Sequence, residues 1–348
     1  METAKETSVG GTGDADGVKT IGETVAEYAI TSGDVKLDVA SLEKKWDDVL
    51  EPVFKAQLPE KPAPEKIAYT GGCELKHSSV KAAKPRVLIP VFPGTNCEYD
   101  MANAFNTYGG DSDIFVIRNL SAKDMEDSVN EFAKHIQNSQ MIAIPGGFSG
   151  GDEPEGSAKF INAFFRNPKI KDAVEEMLYT RDGLMIGICN GFQALIKLGL
   201  VPFGRIVPLT AESPTLTYNT IGRHQSQLTL TRICTNKSPW LSCCNVGDIH
   251  NIPISHGEGR FVAPESVIKQ LIANGQVATQ YVDLNGNPTM DVAFNPNSSM
   301  YAIEGIISPD GRVLGKMGHT ERLTDNVAKN VAGNKEQLLF KGGVEYFA

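Results

Sequence analysis

Leu184-Met185-Ile186-Gly187-Ile188-Cys189-Asn190-Gly191-Phe192-Gln193 is an apolar run that stops at a cysteine between two glycines. The run reads as a buried strand and the residues after it as the start of a helix. Gly-x-Cys-x-Gly at that junction follows the nucleophile-elbow pattern, with Cys in place of Ser. A strand turning abruptly into a helix leaves its central residue strained and exposed, and the flanking glycines remove the clash. The helix N-terminus then faces the sulfur and, with a nearby imidazole, favours the thiolate. The N–H of Asn190 would point towards an oxyanion. The competing reading is a structural cysteine in a tight turn, and glycines on both sides favour the nucleophile. Cys97, in Thr95-Asn96-Cys97-Glu98, lacks them and reads as packing or loop structure.

Upstream, Val87 to Val91 is a short apolar run ending in Pro93-Gly94. Met101, Phe105 and Tyr108 fall one helical turn apart before Gly109-Gly110, and Ile114 to Ile117 reads as a second strand. Ser121 opens a helix with Asp124 as capping partner and Met125, Val129, Phe132 and Ile136 on one face. Met141 to Ile144 is a third run, ending in Pro145-Gly146-Gly147, and Ile170, Val174, Met177 and Leu178 mark another helix. Such alternation predicts an α/β fold, a mostly parallel sheet with helices on both faces. Ligands of such sheets bind beyond the C-terminal strand ends. The three unusual loops fall there: Pro93 to Asn96, Gly146 to Gly151 and Gly187 to Gly191. After residue 205 the chain is strand-rich, with a hairpin from Ile306-Ile307 to Val313-Leu314 turned by Pro309-Asp310-Gly311.

Before this domain, assigned to 85–348, composition predicts three segments. Residues 1–18 are polar, glycine-rich and disordered. Residues 19–57 hold a strand (Val35, Leu37, Val39) and a helix behind Ser41 with Leu42, Trp46, Val49 and Leu50 on one face. Residues 58–84 form a proline-bearing linker.

The 348 residues carry a formal net charge of −9, which argues against a nucleic-acid surface. No apolar run approaches the roughly 18 residues of a membrane helix. The N-terminus has no signal-peptide core, which points to the cytoplasm. The six cysteines fit reduced thiols, and their spacings match no zinc site.

The loop Pro145-Gly146-Gly147-Phe148-Ser149-Gly150-Gly151-Asp152 lacks the Gly-Lys-Ser/Thr of a P-loop. Its glycines suit close backbone approach, with Gly147 as a second oxyanion donor. A cysteine hydrolase needs a base and a group to orient it. Residues i and i+2 of an extended segment share a face, so a His-x-Glu run supplies both. Two exist, His256-Gly257-Glu258 and His319-Thr320-Glu321, and spacing alone does not choose between them. His77, His135, His224 and His250 have no such partner.

Together these residues resemble the class I, triad-type glutamine amidotransferases, and most closely the glutaminase domains of phosphoribosylformylglycinamidine synthases. Four blocks in order carry the likeness, from about Val87 to the C-terminus. They are Pro93 to Glu98; Gly146-Gly147-Phe148-Ser149 with Gly151-Asp152; Ser255 to Arg260; and Gly315 to Arg322. The resemblance implies a flavodoxin-like sheet and a triad of Cys189, His319 and Glu321, with Gly147 and Asn190 at the oxyanion. Gly146, Phe148, Gln193, His256, Gly257 and Glu258 would adjoin the glutamine pocket or the synthetase interface. Thr320 departs from the His-Pro-Glu of many relatives. The implied reaction frees ammonia from glutamine for formylglycinamide ribonucleotide bound to a synthetase partner. It needs no cofactor or metal of its own, and ATP and Mg belong to that partner. Residues from about Ile21 to Phe54 resemble, more weakly, the closing strand and helix of the synthetase half, as if the chain were the tail of a larger enzyme. Two other readings share the elbow: a cysteine amidase or peptidase, and an inactive regulatory or binding domain.

Overall fold

The computed structural model describes residues 22–53, 58–59, 61–149, 157–322 and 327–348, in two units, 1–58 and 59–348. The stretch expected to be disordered, 1–18, lies outside the described residues, as do Gly150, Gly151 and Asp152 of the glycine-rich loop. In the first unit β1 (Ala29–Ser32) and β2 (Val35–Asp38) form an antiparallel hairpin, and α1 (Val39–Leu50) follows at once. The helix starts before Ser41, because the Asp38 carboxylate caps it by accepting the Ser41 N–H at 3.1 Å. No side chain of α1 is buried.

In the second unit, β3 (Arg86–Val91), β4 (Asp111–Val116), β5 (Met141–Ile144) and β6 (Leu184–Ile188) run parallel in the order β4-β3-β5-β6. Every residue of β5 and β6 is buried, so both faces of the sheet are covered there. The connections carry α2 (Glu98–Thr107), α3 (Ala122–Gln137), α4 (Lys159–Phe165) and α5 (Pro168–Glu175); Ser121 caps α3 by accepting the Asp124 N–H. After β6 come α6 (Asn190–Leu198) and α7 (Leu200–Phe203). Then follow β7 (Thr215–Tyr218), β8 (Gln225–Ile233), β9 (Ile249–His256), β10 (Glu258–Val262), α8 (Glu265–Ala273), β11 (Val277–Val282), β12 (Ile303–Ile307), β13 (Val313–Lys316) and α9 (Leu339–Glu345).

The hairpin of β12 and β13 pairs Ile306 with Gly315 and Ile307 with Leu314. Its outgoing strand joins β6 in parallel, Gly315 beside Gly187 and Lys316 beside Ile188. Beyond it β12, β11, β8 and β9 extend the sheet antiparallel to nine strands, while β10 and β7 pair separately. Part of the expected linker, 58–84, is built into this unit. The Tyr69 N–H bonds the Cys234 carbonyl at 2.8 Å, and those of Ser78 and Ala82 bond Tyr346 and Phe347. Prolines removed helical and strand periodicity from the segment without preventing an extended chain from docking at isolated hydrogen bonds. Among the described residues no helix is long and apolar enough to cross a membrane.

Phe192, at the start of α6, is fully buried and stands on Gly315, where a Cβ would come within 2.2 Å of its ring. Phe192→Ala should cost about 3–5 kcal/mol, read from the urea midpoint, because the backbone on either side of the ring is fixed by the sheet. On β9, His250, Ile252, Ile254 and His256 share the inner, buried face. Burial pushes His250 down to about 4; burial, reinforced by His319 and His224, pushes His256 down to about 3. Below about pH 6.5 the unfolded chain therefore binds protons that the folded chain refuses. Stability should decline as pH falls from about 6.5 towards 4, and His250→Gln should flatten the dependence of the urea midpoint over that range; an unchanged slope would refute this assignment.

Candidate active site

Cys189 joins β6 to α6 with φ 53° and ψ −108°, a left-handed conformation that side chains rarely adopt. Its N–H is fixed to the Lys316 carbonyl at 2.8 Å, and its carbonyl accepts the Gln193 N–H at 3.0 Å. Glycine on either side is a steric requirement. A Cβ at Gly191 would lie 2.1 Å from the Ile144 carbonyl oxygen, and one at Gly187 would lie 2.6 Å from the Gly191 backbone. The residue is 6% exposed and lines a cavity of about 720 Å³, with Sγ 3.9 Å from the Ser255 carbonyl oxygen. The N–H of Asn190 belongs to the first turn of α6, where intrahelical acceptors are missing.

The residue pairing of β13 with β6 carries the chain on to His319, next to this elbow. His319 is buried; its N–H bonds the Pro253 carbonyl at 2.8 Å and its Nδ1 lies 2.6 Å from Glu321 Oε1. The imidazole and the Cys189 side chain stand together over Gly146, where a Cβ would lie 2.6 Å from His319 Cε1 and 3.4 Å from Cys189 Cβ. Burial disfavours its charged form, but the Glu321 carboxylate and the Cys189 sulfur outweigh that and hold the imidazole well above its ordinary range. His319 therefore bonds Glu321 directly and shares the space over Gly146 with the Cys189 side chain.

The other His-x-Glu run has the same spacing and a different geometry. His256 ends β9, which pairs with β8, whereas Glu258 begins β10, which pairs with β7. The chain changes sheets between them and their side chains part. Among the described residues neither ring nitrogen of His256 has a hydrogen-bond partner, while Glu258 accepts the Ser157 N–H at 3.1 Å.

Gly147 has φ +143°, and a Cβ there would lie 2.4 Å from the Gly94 carbonyl oxygen. The loop is pinned on the Pro93 to Asn96 loop by the Phe148 N–H to Gly94 and the Asn96 N–H to Gly146. Gly147, Phe148, Gln193, His256, Gly257 and Glu258 line the cavity with Cys189. Gly146 does not line it; a Cβ there would strike His319 Cε1 at 2.6 Å, so it is the backbone floor beneath the imidazole. Asn190 Nδ2 donates to Gln193 Oε1 at 2.9 Å, and Gln193 Nε2 donates to the Glu258 carbonyl at 2.8 Å.

Several neighbours escaped the sequence reading. Tyr218, Arg223 and His224 line the far wall, and His224 Nε2 pairs with Ser255 Oγ at 2.9 Å. They come from β7 and the turn after it, where no motif marks them. Cys97, read as packing, is buried with Sγ 3.8 Å from His319 Nδ1 and 2.9 Å from Arg322 Nη2. Cys97, His319 and Glu321 offer donor atoms within 4.8 Å of one another. The Arg322 guanidinium beside that sulfur opposes a cation there.

The family model described as a CobB/CobQ-like glutamine amidotransferase domain matches residues 84–347. The phosphoribosylformylglycinamidine synthase subunit PurQ of Methanococcus maripaludis (strain C7) is 32% identical over 287 residues, covering 76% of this chain and 97% of that protein. The subunit of the same name from Aquifex aeolicus is 33% identical over 237 residues, covering 68% of this chain and 90% of its own length. The solved structure of PurLQS from Thermotoga maritima includes a chain that superposes with a TM-score of 0.54 at 25% identity, covering 76% of this chain and 100% of that one. The protein is thus a member of the CobB/CobQ-like glutamine amidotransferase family.

Proposed function

We propose that this protein hydrolyses glutamine to glutamate and ammonia through a thioester on Cys189. The ammonia serves a synthetase partner that converts formylglycinamide ribonucleotide to formylglycinamidine ribonucleotide in purine biosynthesis. The observation that carries the reading is a single imidazole, His319, hydrogen-bonded to a carboxylate and packed over Gly146 beside the strained cysteine that lines the cavity. The synthesis step rests on the named function of the PurQ relatives, which match over most of their length.

The Cys189 thiolate attacks the side-chain amide carbon of glutamine, forming a C–S bond while the carbonyl electrons move to oxygen. The N–H groups of Gly147 and Asn190 hold that oxyanion, each such donor being worth about 3 kcal/mol of barrier. As the C–N bond breaks, the His319 imidazolium gives its proton to the departing nitrogen, and ammonia leaves. The imidazole, now neutral, takes a proton from water as that water attacks the thioester. Glutamate leaves and Cys189 returns to thiolate with His319 protonated. Glu321 orients the imidazole and favours its charged form. Gly146, Phe148, Gln193, His256, Gly257 and Glu258 shape the glutamine pocket. His256, held neutral by burial, is not a proton donor at working pH. Side chains supply both nucleophile and proton, so the glutaminase step calls for no metal; ATP and Mg serve the synthetase partner.

Glutamate release measured with the partner should fall by at least about 10⁴-fold in Cys189→Ala. It should be severely impaired in His319→Asn and much less so in His256→Asn; the reverse order of the two histidines would overturn the assignment. Because the Glu321 carboxylate raises the His319 pKa, Glu321→Gln should move the alkaline limb of the pH–rate profile to lower pH. A limb that stays in place would remove Glu321 from its role.

A further inference from the structure

We infer that the buried ion pair of Lys316 and Glu304 is a positioning device that locks the His319 turn against the Cys189 elbow; the role rests on the glutaminase reading above. The two side chains are 1% and 0% exposed, with Nζ 3.6 Å from Glu304 Oε1. Taking both charges out of water costs more than an apolar pair of the same shape would, so the pair is poorly explained by stability. What it does is bond the residues on either side of His319. Glu304 accepts the Gly318 N–H at 2.6 Å and is itself bonded by the Thr279 hydroxyl. Lys316 Nζ donates to the Gly318 carbonyl at 2.9 Å and to Thr320 Oγ1 at 2.9 Å. The Thr320 hydroxyl donates onward to Gln337 Oε1 at 2.7 Å.

The charges thus occupy both backbone groups of residue 318 and the side chain of residue 320, bracketing the imidazole. Packing is close: a Cβ at Gly318 would lie 3.1 Å from Glu304 Oε1 and 3.2 Å from Lys316 Nζ. The main chain of Lys316 completes the link, because its carbonyl holds the Cys189 N–H at 2.8 Å. One residue therefore grips the nucleophile's backbone on one side and the base's turn on the other. Thr320 supplies the hydroxyl through which the ammonium reaches past the histidine. None of these side chains lines the cavity, so Lys316, Glu304 and Thr320 are positioning residues.

The test compares Thr320→Val, which keeps shape and removes the hydroxyl, with Thr320→Ser, which restores it. A third variant, Lys316→Met with Glu304→Gln, removes both charges together and leaves neither one buried alone. Two readouts are taken on the full chain: the rate at which iodoacetamide alkylates Cys189 as a function of pH, assigned by peptide mass, and the melting temperature. With the synthetase partner present, kcat and KM for glutamine are added. The expectation is that Thr320→Val and the charge-free pair slow Cys189 alkylation at neutral pH and lower kcat by on the order of ten- to a hundredfold, with KM little changed and Thr320→Ser near wild type. The groups facing His319, namely Glu321, Cys189, Cys97, Arg322 and His256, are unaltered in all variants, so a changed profile reports their alignment. The inference is overturned if the variants lose only melting temperature while alkylation and kcat match wild type, or if Thr320→Ser is as impaired as Thr320→Val. Should the charge-free pair fail to fold, the two Thr320 variants decide. Wild type that releases no glutamate, or Cys189→Ala that still does, refutes the glutaminase reading, and the alkylation profiles still decide the positioning.

Discussion

The pairing of β13 with β6 is the constraint on which the site depends. Both strands run the same way, and their last residues stand side by side, Lys316 beside Ile188. The chain leaves one strand into the elbow at Cys189 and the other into the turn at His319, so residues 130 positions apart in sequence emerge at one sheet end. A slip of one residue in this register would turn the alternating side chains to the opposite faces and break the bond between the Cys189 N–H and the Lys316 carbonyl. The hairpin turn at Gly311 and the ring of Phe192 seated on Gly315 both hold the register where it is.

Unfavourable features collect around that strand end. Cys189 holds a left-handed backbone conformation, a strain of roughly 1–3 kcal/mol. His256 is buried with both nitrogens unpartnered among the described residues, and Lys316 and Glu304 are buried as an ion pair. Surrounding them is the cluster built on β3, β5, β6 and α6, in which nearly every apolar side chain is removed from water. Such a core tolerates local strain because it fixes the backbone on both sides of it, and a rigid backbone presents a sulfur and an imidazole at a set separation.

Much of this was legible in the sequence. The apolar runs at 87–91, 141–144 and 184–188 mark strands that the fold contains, because a parallel strand covered on both faces must be apolar throughout. The elbow was legible because its two glycines answer local clashes. The choice between His256 and His319 was not, since the difference lies in which strands β9, β10 and β13 pair with, and pairing is long-range. Cys97 was read as packing for the same reason: its neighbour His319 is more than 200 residues away. The far wall of the cavity, Tyr218, Arg223 and His224, comes from a turn whose composition signals only a turn. The helix cap at Asp38 was missed because Asp38 and Ser41 both carry capping side chains, and only the observed bond tells which of them is the cap.

The central claim is that Cys189 is the thiol presented to a glutamine side chain. The most direct measurement is peptide-resolved mass spectrometry of the chain after exposure to an electrophilic glutamine analogue, with and without excess glutamine. The account predicts one adduct, on Cys189, formed faster than on any other cysteine and suppressed by glutamine. An adduct on Cys97 instead, or labelling of Cys189 that glutamine leaves unchanged, would contradict it.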